Sequence, residues 1–178
     1  MKLLTAAVAT AAIASFAGAP AVSLDDNDSG SGKRNLKAEL RGSREVPAIS
    51  TEARGSLRAR ISSDGTEIRW RLEYSGLQAD VTQAHIHLGD HHTNGGVSVF
   101  FCSNLGNGPA GTQACPLREG ALTGTFVSAN VVGPAGQGIA AGEFEELVKA
   151  LRSGITYANV HSTQFGGGEI RGQIKAED

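Results

Sequence analysis

The sequence has little net charge and few aromatic residues, and both scarcities exclude classes of protein. The formal net charge is −2 over 178 residues, so the chain offers no broad positive field for a nucleic-acid backbone. Aromatic residues make up 5% of the chain, whereas 24 residues are glycine. Abundant glycine favours tight turns and an all-β fold over long helices. We therefore expect one domain of ordinary size that does not bind nucleic acid.

Beyond residue 23 the chain also lacks long apolar runs, and no segment there reaches the roughly 20 apolar residues that a membrane span needs. The first 23 residues combine the charge of Lys2, an alanine-rich apolar run from Leu3 to Phe16, and small residues beyond it. This order is typical of a secretory signal peptide, and the run is short for the alternative, a membrane anchor. We expect a secreted or periplasmic protein with a signal peptide over residues 1–23, a flexible tail over 24–35 and one domain over 36–176.

Cysteine is scarce, and its placement fits export. Cys102 and Cys115 flank a loop of glycine, asparagine and proline that can turn back on itself. In an oxidising compartment, two cysteines placed in this way most simply form a disulfide. A thiolate metal site is the alternative, and it usually requires more sulfur or a histidine close by in sequence. We therefore expect a disulfide between the two cysteines.

Apolar residues recur at every second position through most of the chain. In TEIRWRLEY, the apolar residues occupy one face of a strand and the charged residues the other. Ser63-Asp64-Gly65 separates this run from GSLRARIS and predicts a hairpin turn. Further strands are expected over residues 37–41, 82–88, 96–102, 121–128, 155–161 and 168–175. The pattern predicts an antiparallel β-sandwich with Greek-key-like connections.

One segment has the period of a helix instead. GEFEELVKALRSG places Phe144, Leu147, Val148 and Leu151 on one side, as an amphipathic helix requires. Gly154 lies where such a helix ends. We expect a single short helix that packs on the sandwich and has no chemistry of its own.

The five histidines occupy two places in the sequence. His85 and His87 lie in AHIHLGDHH, and His161 lies in YANVHST. On a strand, His85 and His87 project from the same face about 6.5–7 Å apart, which allows them to share an ion. His161 is the only distant histidine, and Asp90, His91 and His92 are possible additional ligands. Imidazole ligation without sulfur suits copper or zinc.

Simpler interpretations compete with a metal site. A His-x-His pair on a polar strand face can be solvated or can hydrogen-bond to neighbouring strands. The chain has no GxSxG-type elbow for a nucleophilic serine, and its glycine runs lack a phosphate-binding pattern. The arginines at positions 58, 60, 69 and 71 form a stripe that is interrupted by Glu67 and Glu73. A solvated face is the default interpretation of this stripe, and a surface for an acidic ligand is the alternative.

Four segments in order match a known family: AELRGSREVPAISTEARGSLRARI, AHIHLGD followed by GGVSVFFCS, ACP, and YANVHSTQFGGGEIRGQI. Through them, the span from about Leu36 to Lys175 resembles the CHRD domain, which is named after chordin. The resemblance implies an extracellular β-rich module, in a family of mostly unassigned biochemical function. Chordin antagonises bone morphogenetic proteins, and this chain lacks the cysteine-rich modules associated with that growth-factor binding. That activity is therefore not implied here.

The histidine pattern also resembles Cu/Zn superoxide dismutase, in which a His-x-His strand and a later histidine hold copper. His85, His87 and His161 match those ligands, and Arg171 matches an arginine that attracts the anionic substrate. No histidine matches the metal-bridging position, and the zinc ligands are not laid out as in that family.

The sequence thus predicts an exported, non-catalytic module that binds a protein, a glycan or a metal ion. The alternative is a copper-dependent redox enzyme of superoxide-dismutase-like type. It would use His85, His87 and His161 as copper ligands and Arg171 as a catalytic residue.

Overall fold

The structure is a computed structural model and describes residues 32–177. Within this span it contains nine strands and one α-helix. In chain order these are β1 (Asn35–Arg41), β2 (Arg54–Ile61), β3 (Ile68–Ser75), β4 (Val81–Leu88), β5 (Val97–Ser103), β6 (Gly120–Phe126), α1 (Phe144–Arg152), β7 (Thr156–Ser162), β8 (Ile170–Gln173) and β9 (Lys175–Glu177). The predicted signal peptide and most of the predicted tail lie outside the described residues, and Asn35 already belongs to β1.

The all-β prediction is confirmed. The clearest alternating segment forms β3, in which buried and exposed residues alternate at every position. The predicted hairpin turn joins β2 to β3, with Gly65 at a φ of +71°. The Ser62 hydroxyl accepts hydrogen bonds from the backbone N–H groups of Thr66 and Glu67. The last predicted strand, 168–175, is divided into β8 and β9.

The strands form one antiparallel sheet and not two stacked sheets. Their order is β5-β4-β7-β8-β1-β2-β3-β6, and β9 pairs with β1 beside β8. The twist of so wide a sheet curls it until its two edge strands approach each other. The Gln113 side chain bridges these edges by donating to the carbonyls of Phe101 in β5 and Thr123 in β6. The architecture is therefore barrel-like and nearly closed, which corrects the sandwich expectation.

The inner face of the curled sheet holds the apolar core. Trp70 lies there against the rings of Phe101 and Phe126, at centroid distances of 4.8 and 5.1 Å. The predicted helix is confirmed as α1, and its apolar stripe is buried against this core. No helix among the described residues has the length and apolar character needed to cross a membrane.

The predicted disulfide is also confirmed. Cys102 in β5 is bonded to Cys115, which lies in the loop that precedes β6. Asn104 stabilises the same loop, because its side chain accepts from the Cys115 N–H and donates to the Val81 carbonyl. The bridge thus fastens the 104–119 loop to one edge of the sheet.

The outer face of the sheet, turned away from the core, has two distinct parts. Over β4, β7 and β8 it is buried beneath three loops, residues 42–47, 89–96 and 163–169; we call this part the covered half. Over β9, β1, β2 and β3 its side chains are exposed to solvent; we call this part the open half.

Candidate metal centre

The covered half brings together the three histidines from distant parts of the chain. His85 and His87 lie on β4, and His161 lies on the adjacent antiparallel strand β7. His85 is paired with Asn159, so His161 occupies the diagonal position on the same face. The three potential ligand atoms all lie within 4.8 Å of one another. Residues 76 positions apart therefore converge, as a shared ion would require.

The solvated interpretation of the histidine pair is wrong for this structure. His85 is 1% exposed, His87 8% and His161 6%. The alternate residues Ala84 and Ile86 face the core on the inner side of the same strand. Strand β4 is thus buried on both faces, and the histidines lie between the sheet and the covering loops.

Two of the imidazoles are oriented by backbone carbonyls of these loops. His87 Nδ1 donates to the Gly95 carbonyl at 2.9 Å, and His161 Nδ1 donates to the Gly166 carbonyl at 3.0 Å. Because a carbonyl only accepts, each Nδ1 carries the proton and each Nε2 carries a lone pair; that of His161 faces His85 Nδ1 at 3.3 Å. A backbone carbonyl on the second nitrogen is the usual support of a metal-binding histidine.

A glycine makes one of these supports possible. A Cβ atom at Gly95 would lie 1.6 Å from the Leu88 carbonyl oxygen, so only glycine allows the loop to return this closely to the end of β4. The approach places the Gly95 carbonyl beside His87. Gly95 is therefore part of the support of the site.

The environment keeps the three imidazoles neutral. Burial, together with the neighbouring His161 and His87, lowers the pKa of His85 from 6.5 to about 2. Burial lowers the pKa of His87 to about 4, although its hydrogen bond to Gly95 opposes the shift. Burial also lowers the pKa of His161, with its bond to Gly166 opposing. Neutral imidazole is the form that binds a metal ion, so no proton has to leave at neutral pH.

The atomic arrangement fits an ion. His85 Nδ1 and His161 Nε2 are 3.3 Å apart. Two nitrogens that each bind one ion at about 2.05 Å, with a tetrahedral angle between them, lie about 3.3 Å apart. His87 Nε2 and His85 Nε2 are buried and have no hydrogen-bond partner within residues 32–177. An orphaned buried nitrogen costs about 1–3 kcal/mol, and an ion bound at His87 Nε2 would remove one such cost.

Aromatic rings enclose the cluster. The Tyr157 ring stacks on His87 with 4° between the planes and 4.9 Å between the centroids. The Phe100 ring meets His85 edge-on, with 4.3 Å between the centroids. The rings exclude water from two sides and restrict the rotation of both imidazoles, which favours a preformed site.

Arg171 lies on β8, one strand beyond His161, and its side chain is only 1% exposed. Its guanidinium lies 3.4 Å from the centroid of the Tyr157 ring. It donates to the carbonyls of Asp90 and Thr93 and to the Asn94 side-chain oxygen, at 2.7, 2.9 and 3.2 Å. These bonds fasten the 89–96 loop, whose Gly95 carbonyl orients His87. The geometry therefore makes Arg171 a positioning residue.

The structure does not bring the additional candidates to the cluster. Asp90, His91 and His92 lie at the exposed tip of the 89–96 loop. The Asp90 carboxylate accepts from the backbone N–H and the ring of His91, and the rings of His91 and His92 are 6.3 Å apart. Among residues 32–177, only His85, His87 and His161 form a group whose ligand atoms are close enough to share an ion.

Sequence reasoning missed several buried polar residues beneath the loops, among them Glu45 and Asn159. Asn159 Nδ2 donates to Glu45 Oε1 at 2.8 Å, and this bond joins β7 to the 42–47 loop. Burial raises the pKa of Glu45 from 4.5 to about 7, against the lowering effects of Asn159 and Arg171. Asn159 lies two residues before His161, so strand alternation could have placed it on the same face. Nothing in the sequence signalled that Glu45 is buried.

Comparison with protein families gives one match. The family model of the CHRD domain matches residues 36–174, which covers all the strands from β2 to β8 and the whole histidine cluster. No curated protein and no solved structure matches the chain.

Proposed function

Because the chain belongs to the CHRD domain family, we propose that it is an exported, non-catalytic binding module that holds one copper or zinc ion in the covered half. The ligands are His85, His87 and His161. The single observation that carries the proposal is the convergence of three neutral, buried imidazoles within 4.8 Å. A second support is the orientation of two of them by backbone carbonyls.

The choice of metal follows from the donor set. The three nitrogens are neutral and borderline-soft, and the group contains no carboxylate. Such a set favours copper or zinc over magnesium or calcium, which require oxygen ligands. The carboxyl group of Glu45, which is buried beneath the loops, bonds to Asn159 and not to a histidine.

Export is supported by the leader-like start of the sequence and by the disulfide. Disulfides persist in secreted and periplasmic proteins and are rare where the cytosol keeps thiols reduced. Expression of the full chain in a host with a secretory pathway, followed by sequencing of the amino terminus of the recovered protein, tests this part. A recovered protein that begins near residue 20–24 supports export, whereas a cell-retained chain that keeps Met1 contradicts it.

Metal binding is tested by direct titration. Metal-free protein is titrated calorimetrically with Zn²⁺, and with Cu⁺ in competition with a chromogenic chelator. We expect one ion per chain for the parent protein, and a loss of affinity of at least about 100-fold for His87→Gln and for His161→Gln. His92→Gln is the matched control because it removes an exposed imidazole outside the cluster. Equal binding by the parent and the His87→Gln variant would refute the site.

A copper-dependent redox enzyme of superoxide-dismutase-like type is the second candidate, and the same three imidazoles favour it. Such an enzyme needs a free coordination position and access for its anionic substrate. The guanidinium of Arg171, which would attract that anion, is instead bonded to the 89–96 loop. Assay of the copper-loaded protein for superoxide and peroxide turnover separates the two functions, because a binding module retains the ion without turnover.

A further inference from the structure

The open half carries a positive charge that the composition of the whole chain conceals. Its outward positions hold eight lysine or arginine residues and three glutamates, which give a formal charge of +5. The whole chain has a formal charge of −2. The cationic positions are Lys37, Arg41, Arg54, Arg58, Arg60, Arg69, Arg71 and Lys175, and all are exposed.

Four of these cations stand side by side in one row across the sheet, which we call the cationic row. Lys175 of β9 pairs with Lys37 of β1, Lys37 with Arg58 of β2, and Arg58 with Arg71 of β3. Adjacent strands are about 4.8 Å apart, so the row extends about 14 Å. Like charges directly opposite each other destabilise a sheet. The fold thus keeps four exposed positive charges in one straight row although their mutual repulsion is unfavourable.

Neighbouring carboxylates neutralise only part of the cationic row. Glu177 pairs with Lys37 at 2.5 Å, and Glu73 pairs with Arg71. Arg58 and Lys175 have no ion pair within residues 32–177, and the same is true of Arg60, the next outward residue after Arg58 on β2. The uncompensated charge therefore lies in the middle and at one end of the row.

A groove of about 660 Å³ runs beside the row. Lys37, Arg58 and Lys175 line it together with His91 and His92 of the 89–96 loop, and Glu39, Glu45 and Glu177 also contribute to its lining. The groove gives the exposed charge a concave wall, which a flat solvated face would not have. A linear anionic chain lying in the groove would contact the successive cations of β9, β1 and β2.

We propose that the open half binds an acidic polysaccharide along the cationic row. The outward positions of β9, β1, β2 and β3 include no aromatic residue that could stack on a nucleic-acid base, and no apolar residue that could enter a bilayer. A linear polymer with a carboxylate or sulfate on its sugars needs only the repeated cations. The choice of a polysaccharide rests on the proposed export of the chain, whereas the surface itself is independent of the histidine cluster.

The experiment compares two double variants with equal net charge. Arg58→Gln with Arg60→Gln removes two cations from the open half that have no ion pair in the described residues. Arg118→Gln with Lys149→Gln removes two exposed cations elsewhere. Heparin and polygalacturonate serve as probes, because one is sulfated and the other carries only carboxylates. Binding is measured by calorimetry across a series of NaCl concentrations.

We expect the parent and the Arg118/Lys149 variant to bind at least one probe with the same affinity within twofold. The Arg58/Arg60 variant should bind it about 10- to 30-fold more weakly. The slope of log Kd against log salt concentration should fall in magnitude by about two for that variant alone. Without probe, the midpoint temperature of thermal unfolding should be at least as high for the Arg58/Arg60 variant as for the parent. Weaker binding by this variant would then not be caused by unfolding.

Equal weakening of both variants, or no binding of either probe by the parent, would overturn the proposal. Tighter binding to single-stranded DNA or to vesicles of anionic phospholipid would overturn the choice of polymer. The same titration of the His87→Gln variant separates this surface from the metal site, because polysaccharide binding should be unchanged. A failure of export would leave the measured binding intact and would remove only its cellular setting.

Discussion

The covered half and the open half occupy the same outer face of one sheet, yet polar side chains have opposite consequences in them. In the open half, water solvates each charge, so arginines can stand side by side at small cost. In the covered half, three loops exclude water, so each polar atom needs a partner within the protein. Many of them have one: His87 and Arg171 bond to loop carbonyls, Asn159 to Glu45, and His85 to His161. Within residues 32–177 the Nε2 atoms of His85 and His87 have none, and a bound ion would supply the partner of His87 Nε2. Burial by loops, and not strand geometry, converts a polar face into a candidate site.

The comparison is tested most strongly by removing one arginine from each half. Arg171→Met removes the donor to the Thr93 carbonyl and one of the donors to the Asp90 carbonyl, and it releases the 89–96 loop from β8. We expect a loss of about 3–5 kcal/mol in the free energy of unfolding, measured by urea denaturation of the metal-free protein. Arg58→Met is the matched control, and its effect should stay within about 0.5 kcal/mol because the side chain is exposed. Similar changes for both variants would show that the loops do not govern the energetics of the covered half.

A second test compares one glutamate from each half as a function of pH. The pKa of Glu45 is raised from 4.5 to about 7, so the folded state holds its proton more tightly than the unfolded state does. Its contribution to stability is therefore complete below pH 4.5 and is lost as the pH rises through 7. Glu45→Gln, which stays neutral, should be more stable than the parent by about 2–3 kcal/mol at pH 8 and close to it at pH 4.5.

Glu39→Gln provides the control for that experiment, because Glu39 is an exposed residue of the open half. Urea unfolding of metal-free protein between pH 4.5 and 8.5 measures both differences. The three buried histidines have lowered pKa values, so their contribution has the opposite pH dependence: the folded protein loses stability as the pH falls below 6.5. Their contribution is common to parent and variant and cancels in the difference. If the difference in unfolding free energy between Glu45→Gln and the parent did not change with pH, the raised pKa of Glu45 would be contradicted.

The two halves also differ in how far the sequence predicts them. Alternation predicts the outward residues of β2 and β3 correctly, because the inner face of these strands is apolar and their outer face is exposed to water. The same alternation put His85 and His87 on one face, and the scarcity of histidine elsewhere selected His161 as their partner. It could not show that this face is buried, since that depends on loops that return from residues 42–47, 89–96 and 163–169.

The limits of the pattern have a physical cause. Strand pairing between distant segments decides that Lys175, Lys37, Arg58 and Arg71 share one row, and no local property of the sequence encodes that register. Closure of the sheet likewise depends on its width and twist, so local alternation allowed both a sandwich and the barrel-like sheet that formed. The resemblance to Cu/Zn superoxide dismutase implies that Arg171 attracts an anionic substrate, whereas its neighbours indicate that it fixes a loop.

The smallest expected effect tests whether the cationic row is held against its own repulsion. Arg58 faces Lys37 on one side and Arg71 on the other, and it has no ion pair within residues 32–177. Arg58→Thr removes both repulsive contacts and introduces a residue that favours strands, so stability should rise by about 0.5 kcal/mol at low salt. The gain should shrink in 0.5 M NaCl because exposed charges are then screened, whereas a gain due to strand preference alone would not depend on salt.

Chemical denaturation at the two salt concentrations separates these causes. A loss of stability at low salt would show that the neighbouring side chains already relieve the repulsion. A gain that salt abolishes would mean that the open half retains Arg58 at a cost in folding, as expected of a residue kept for an anionic partner.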